Sequence, residues 1–552
     1  AEHAAADAAA DADEEADDDG DGDANEADEQ YDNSRYTGIE GILRALAPGH
    51  IRLVRLTYLV RLAKEGGVLK RRQELPSVAF IGPDELKRVA EAPGYLNDRD
   101  HVLPIIAISH CWTTPGHPDP HGEQLQVVAA ALERENEKYA EFFPEMGVFW
   151  DWPSLYQRDA HSFLTDAENK GYKFALMQTM DLWYAHQRTV VMLCTKPPPT
   201  RQEDGTIVTR SFADSGWTTY ERCCAEQIKG YYMYDARWKL CVDLGAVEGA
   251  EYERRWPIGP DEFDSLIESK TFSNGDDLAA VSRLFRRMSR LQLGAIETLD
   301  LEGMSPPSVD DGRRFGGALN LCSNLRTLLL QKVELTDSTL EALAAQLRDG
   351  ALPSLEELSL AMNQLWDPSL VALSDALSKG AMPSLRKLDL NSNHIGEPYL
   401  TEVAKAERLA LLESVPEHIR HLAANAAPDT HDVDLGIKAL GEAVVSHGAL
   451  ERLESLCLDH NGLTDAGISA LCSSMLDYEG VLPALRFLDL SYNQIWNGGV
   501  KMLVGAVGTG SLPGCRGNPE SIKLDFNPAS TYAVVRLTDM LRQTAGLRHL
   551  SA

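Results

Sequence analysis

Two hydrophobic periods divide this chain. From Ile296 onward leucines recur as L-x-x-L-x-L-x-x-N-x-L roughly every thirty residues. The clearest copies run Leu355–Asn363, Leu385–Asn393, Leu453–Asn461 and Leu485–Asn493. Within a copy, the fourth and sixth positions are apolar and their neighbours polar, the alternation of a strand with one buried face. An amphipathic stretch such as Ser369–Leu377 follows and predicts a helix. Copies start at Ile296, Leu325, Leu355, Leu385, Ile419, Leu453 and Leu485, at intervals of 29, 30, 30, 34, 34 and 32. A unit this short cannot bury its own apolar face, so a fixed period predicts coils stacked into a solenoid.

The ninth-position Asn suits a structural task, since its side-chain amide can satisfy turn backbone between coils. Copies one, two and five lack it, carrying Met304, Val333 and Ala427, and Ala424 replaces a strand leucine in copy five. The last coils, near Ile522–Phe526 and Leu547–Leu550, look degenerate, and the phrase runs out at Ala552 without a closing cap. Period and content resemble the ribonuclease-inhibitor class of leucine-rich repeats. That resemblance implies a horseshoe with a parallel inner sheet, its third, fifth and seventh positions facing the concavity. Those columns hold Asp300, Glu302, Glu357, Asp389, Asp459 and Asp489, with Lys387 the lone cation and Phe487, Leu329 and His421 interspersed. An acidic inner face points to a basic protein partner; the simpler alternative is an exposed sheet kept soluble by charge.

Upstream the pattern is mixed. Residues 1–35 are acidic and low in complexity, with too little apolar surface to offset chain entropy, and are expected to be a disordered tail. Residues 36–100 read as helical, including an amphipathic stretch over His50–Lys64, with breaks at Pro48-Gly49, Gly66-Gly67 and Gly82-Pro83. From 101 to 245 short apolar runs (Val102–Ser109, Gly147–Trp152, Thr189–Cys194) alternate with helical spacing such as Phe174–Ala185, which predicts a parallel-sheet α/β domain. Residues 246–295, with Pro260–Ile267 and Asp276–Leu291, read as a helical bridge capping the first coil. The expected architecture is α/β throughout: a parallel-sheet α/β domain, then a leucine-rich-repeat solenoid over 296–552.

Charge narrows the partners. The formal net charge is −32, of which residues 1–30 supply fourteen Asp/Glu and no Lys or Arg, leaving −18 for the rest. Without a basic stripe to meet phosphates, nucleic acid is not an expected partner. No apolar run approaches the ~18 residues of a membrane helix. Nine scattered cysteines with no C-x-x-C spacing read as free thiols of a reducing, cytoplasmic setting. Vicinal Cys223-Cys224 fit two small apolar residues on a helix better than a redox pair.

Candidate chemistry lies in three ordered phrases: Ile106–Trp112, Gly147–Asp159 and Gly216–Glu221. They resemble the fungal heterokaryon-incompatibility domain and the related Toll/interleukin-receptor superfamily over about 120 residues, including a Trp-x-x-x-Glu spacing from Trp217 to Glu221. His110-Cys111 and Pro153 depart from that pattern. The resemblance implies cleavage of the nicotinamide–ribose bond, with NAD as substrate and no resident cofactor. Glu221 would be the carboxylate that steadies an oxocarbenium-like transition state. Asp151 would be a second carboxylate, with Ser109, Trp112, Ser154, Arg158 and Trp217 lining the pocket, and the domain is a candidate for self-association. The structural alternatives make Trp112 and Trp217 core aromatics, Glu221 a solvated or ion-paired side chain, and Asp151 a local cap. His110, His117, His121 and Asp119 crowd one loop, but its Pro- and Gly-rich phrase offers no tetrahedral scaffold, so no metal is assigned. No phosphate-cradling Gly-rich loop or nucleophile elbow occurs. The reading that follows is recognition of a protein by the repeats, with the α/β domain as effector or adaptor. The alternatives are a non-enzymatic interaction scaffold, or a regulator of a small GTPase resembling Ran GTPase-activating proteins, which leaves the first 290 residues without a task.

Overall fold

A computed structural model describes residues 34–91, 102–158, 163–201, 206–229, 240–245, 254–272, 277–397 and 434–543, apart from 115, 141, 448, 477 and 479. The expected tail, the column residue His421 and the fifth copy at Ile419 lie outside the described residues. No helix among the described residues is long and apolar enough to cross a membrane.

The first sheet joins β1 (Leu53–Arg55), β2 (Phe80–Ile81), β3 (Ile105–Ser109), β4 (Gly147–Phe149), β5 (Val190–Leu193) and, beyond a hairpin of β6 (Thr200–Arg201) and β7 (Ile207–Val208), β8 (Cys241–Asp243). Its order is β2-β1-β4-β3-β5-β8, with β4, β3, β5 and β8 parallel and β1 antiparallel to both its neighbours. Segment 36–100 is therefore not wholly helical. Leu53 and Val54 of the expected amphipathic helix pair with Ile81 and Phe80, and only Leu56–Lys64 is helical. A run of alternating Leu, Val and Arg fits either period, and the cross-strand partner decides it.

The inner parallel strands β3, β4 and β5 are buried on both faces, as helices on each side require. Odd positions of β3 (Ile105, Ala107) join one core with Phe149, Trp183 and Tyr184. Even positions (Ile106, Ile108) join the other with Leu125, Val128 and Trp150. The chain leaves β3 through helix Glu123–Tyr139 on one face and leaves β4 through Asp166–Ala185 on the opposite face. The crevice between the carboxyl ends of β3 and β4 is thus a topological switch point, where α/β sheets open a ligand crevice.

Helices Pro260–Ile267 and Asp277–Ala295 do not simply cap the first coil. Phe263 stacks on Phe285 at 3.9 Å, and Val281, Leu284 and Met288 pack into the core shared with Trp183 and Tyr220. Only Trp256, Leu293 and Ile296 turn to the leucine core of the second half.

The second sheet has seven parallel strands in chain order: β9 (Thr298–Asp300), β10 (Thr327–Leu329), β11 (Glu357–Ser359), β12 (Lys387–Asp389), β13 (Ser455–Cys457), β14 (Phe487–Asp489) and β15 (Ile522–Lys523). A helix follows each, and the leucines at the fourth and sixth positions form one continuous core. Lys387, Leu388 and Asp389 of β12 pair directly with Ser455, Leu456 and Cys457 of β13. One expectation changes. The coil at Ile522–Phe526 is not degenerate: Asn527 takes the ninth position, with Nδ2 donating to Leu490 O at 2.8 Å and Oδ1 accepting from Ile495 N at 2.9 Å. Asn363, Asn393, Asn461 and Asn493 make the same links.

Candidate functional site

The switch point holds a buried polar group. β3 ends in Ser109 and delivers His110 and Cys111, while β4 ends at Phe149, two residues before Asp151, the first residue of a short helical turn. His110 Nε2 lies 2.9 Å from Asp151 Oδ1, and its Nδ1 lies 3.2 Å from Gln124 Oε1. Asp151 also accepts from Trp112 Nε1 at 2.7 Å and from Trp152 N at 2.7 Å. Burial alone would lower the imidazole and raise the carboxyl. Burial is the largest single influence on each, but the charge of each on the other together with the hydrogen bonds between them and to Gln124, Trp112 and the Trp152 amide outweighs it, lifting His110 and holding Asp151 below its ordinary range. The pair is a hydrogen-bonded histidine–carboxylate bridge spanning the crevice.

Glu221 comes to this group from helix Gly216–Glu226, its residue 7 % exposed. Burial pushes its carboxyl up to about 8, and the nearby Ser109 and Tyr184 hydroxyls and His110 only partly oppose the shift, to which Asp151 adds. Ser109 Oγ and Glu221 Oε2 have no conventional hydrogen-bond partner. At neutral pH Glu221 is therefore a protonated acid, and the ionised carboxylate of the crevice is Asp151, whose side chain is 22 % exposed.

Of the seven expected pocket residues, four converge: Ser109, Trp112, Asp151 and Glu221. Three do not. Ser154 is fully buried, its Oγ accepting from Trp150 N at 3.1 Å, a local cap. Arg158 is exposed and reaches Asn169 Oδ1 at 3.4 Å. Trp217 donates from Nε1 to Asp277 Oδ2 at 2.9 Å, tying its helix to Asp277–Ala295. Sequence reasoning missed Gln124 and Tyr184 and set His110 aside as a departure. The polar Gln in the first turn of an otherwise apolar helix face is the signal that was available. His117 lies 3.0 Å from Leu69 O, and Asp119 caps helix Glu123–Tyr139 by accepting from Gln124 N and Leu125 N.

The second surface is the open face of the seven-stranded sheet. Asp300, Asp389 and Asp489, all at the fifth position, each accept the backbone N–H two residues on, so part of the acidic column shapes turns. The N-terminal half neutralises itself: Lys332 meets Glu302 at 2.9 Å and Lys387 meets Glu357 at 2.7 Å. The C-terminal half is more open. Asp389, Cys457 and Asp489 stand in register on adjacent strands, with Asp459 two positions on from Cys457. Burial raises Asp389, Asp459 adds to the shift, and Lys387 opposes it. Phe487 carries Lys523 Nζ at 5.0 Å from its ring centroid.

A family model described as leucine-rich repeat matches residues 381–398, 452–472 and 482–504. The chain carries leucine-rich repeats. The matches pass over 399–451, as the sheet itself does between β12 and β13. A search of curated proteins finds no match. Repeats of this kind suggest a role in protein interaction.

Proposed function

We propose that this is a protein-recognition molecule whose repeats bind a basic partner on the open face of their sheet, with the α/β part as attached adaptor or effector. The observation that carries this reading is the group Asp389, Asp459 and Asp489 around Cys457, whose thiol is pushed up to about 11 by burial and then by these three carboxylates. Like charges gathered on a surface cost free energy in the isolated chain, and a cationic partner relieves them. Changing Asp389 and Asp459 to Lys should abolish partner recovery in a pull-down with the full chain. Unchanged recovery refutes the reading.

A second reading, cleavage of NAD, is supported by the convergence of Ser109, His110, Asp151 and Glu221 at the switch point. Its difficulty is the protonation of Glu221: a neutral acid gives an oxocarbenium-like cation little stabilisation, whereas Asp151 is charged but locked to His110 and Trp112. Nicotinamide release by the self-associated full chain, lost on Glu221→Gln, would favour this enzyme. No turnover between pH 6 and 9 leaves the adaptor.

A further inference from the structure

Three aromatic rings project in a row from successive coils. The eighth position of each coil sits in a left-handed turn: Lys332, Met362, Ser392, His460, Tyr492 and Phe526 all have φ between 53° and 56°. Any side chain with a Cβ is disfavoured there, and the first coil meets the requirement with Gly303 at φ 73°. In the last three described coils the position is nevertheless aromatic. His460 stacks on Tyr492 at 4.0 Å between centroids, and Tyr492 on Phe526 at 4.2 Å, both at 17°. Burial does not explain the choice, since Tyr492 is 44 % and Phe526 74 % exposed. The backbone link at these turns, Tyr492 N to Asp525 O and His460 N to Ser491 O, is made just as well by Ser392 N to Asp459 O in the neighbouring coil.

The ladder is flanked by acid. Asp459 and Asp525 precede His460 and Phe526, and Asp459 Oδ2 already holds His460 Nδ1 at 2.9 Å. One corner of the same surface shows what it accepts: Lys523 lies over the Phe487 ring with Asp489 Oδ2 at 4.0 Å, a cation held between a ring face and a carboxylate. Beside the exposed Phe526, the chain's own cations supply no such partner among the described residues. A planar guanidinium suits an aromatic ladder better than an ammonium. It lies flat on a ring and turns its N–H edges to flanking carboxylates.

We propose that the His460–Tyr492–Phe526 ladder, with Asp459 and Asp525, is a docking site for arginine side chains of a partner polypeptide. The inference rests on the reading of the repeats as a protein-binding surface and names the chemistry that surface selects. The test uses the full chain at physiological salt with fluorescent Gly-spaced peptides carrying three arginines or three lysines. Residues 1–30 attract both peptides by charge and are common to every variant, so differences between variants report the ladder. The arginine peptide should bind about fivefold tighter than the lysine peptide. Tyr492→Ala with Phe526→Ala should remove that preference, and Phe526→Leu, which keeps apolar area without a π face, should remove part of it. Equal affinity for both peptides, unmoved by these variants, overturns the arginine site. Asp389→Lys with Asp489→Lys, which leaves Asp459 and Asp525 of the ladder in place, separates the two proposals: weaker binding of both peptides with the arginine preference kept supports the acidic face whatever the ladder does, and unchanged binding of both refutes the face itself.

Discussion

Replacing Asn461 by Ala tests whether β12 and β13 are true neighbours although residues 390–454 lie between them in the sequence. Asn461 is 8 % exposed; its Nδ2 donates to Leu390 O at 3.0 Å, Leu458 O at 3.2 Å and Asp459 O at 3.1 Å, and its Oδ1 accepts from Ile395 N at 3.0 Å. Leu390 O keeps Asn393 Nδ2 as a donor after the substitution. Ile395 N, on a residue with no exposed surface, is left bare. An orphaned buried donor costs about 1–3 kcal/mol, and each further lost bond contributes about 1 kcal/mol, so a loss of roughly 3 kcal/mol is expected. Asn363→Ala, which strips Val333 N and Leu335 N, should cost a similar amount.

Stacked coils open locally, so the sharper assay is hydrogen exchange at single amides. In Asn461→Ala the Ile395 amide should lose protection, while Leu463, held by Asn493 Oδ1 at 3.0 Å, should keep it. Unchanged protection at Ile395 would refute the direct pairing. It would mean that some other coil stands against Asn461.

Two buried ionisable groups of the α/β part, Glu221 and Lys229, give opposite pH signatures. Glu221 titrates near 4.5 when unfolded and near 8 when folded. The folded state binds the extra proton, so stability falls as pH rises across that window, and Glu221→Gln should flatten the fall in urea midpoints between pH 5 and 8. Lys229 is driven by burial from 10.5 down to about 7, its ammonium held by His186 O and Thr189 O. Here the unfolded state binds the extra proton, so stability rises from pH 7 toward 10, and Lys229→Met should remove that rise; a slope unchanged in either variant refutes the assignment.

What was legible in the sequence followed from period. The leucine phrase placed six of the seven strands of the second sheet, and its Asn predicted the bonds between coils. The seventh, at Ile522, read as a degenerate coil because its first leucine is missing, although Leu524 and Asn527 remain. In the first half, the three central strands were readable as short apolar runs. The antiparallel strands β1 and β2 were not, because Leu53-Val54 and Phe80-Ile81 acquire their identity only from cross-strand partners, and neither was the short edge strand β8. At the crevice, residue types were legible and ionisation was not. Ser109, Asp151 and Glu221 were found from spacing, but whether Glu221 carries a charge depends on burial under Tyr184 and beside His110, which no local pattern records. Trp217 shows the reverse failure, a conspicuous aromatic whose indole N–H binds a distant Asp277 and not the crevice.

The helix that carries Glu221 also joins the two halves. Cys223, Cys224 and Ala225 pack in the core of the first sheet, and three residues later Ile228 packs in the leucine core of the repeats. Between them Glu226 binds Arg222 and Arg255, its carbonyl takes Arg254, and Gln227 Nε2 donates to Ile258 O at 2.7 Å. Trp256 completes the seam, meeting Phe315 at 5.3 Å and donating to Ser305 O at 3.1 Å. A seam of buried charge-assisted bonds holds one geometry, since breaking any member leaves a charge without its partner. The repeats therefore do not hang from the α/β part on a free tether. Glu226 of that seam and Glu221 of the crevice share one helix, little more than a turn apart.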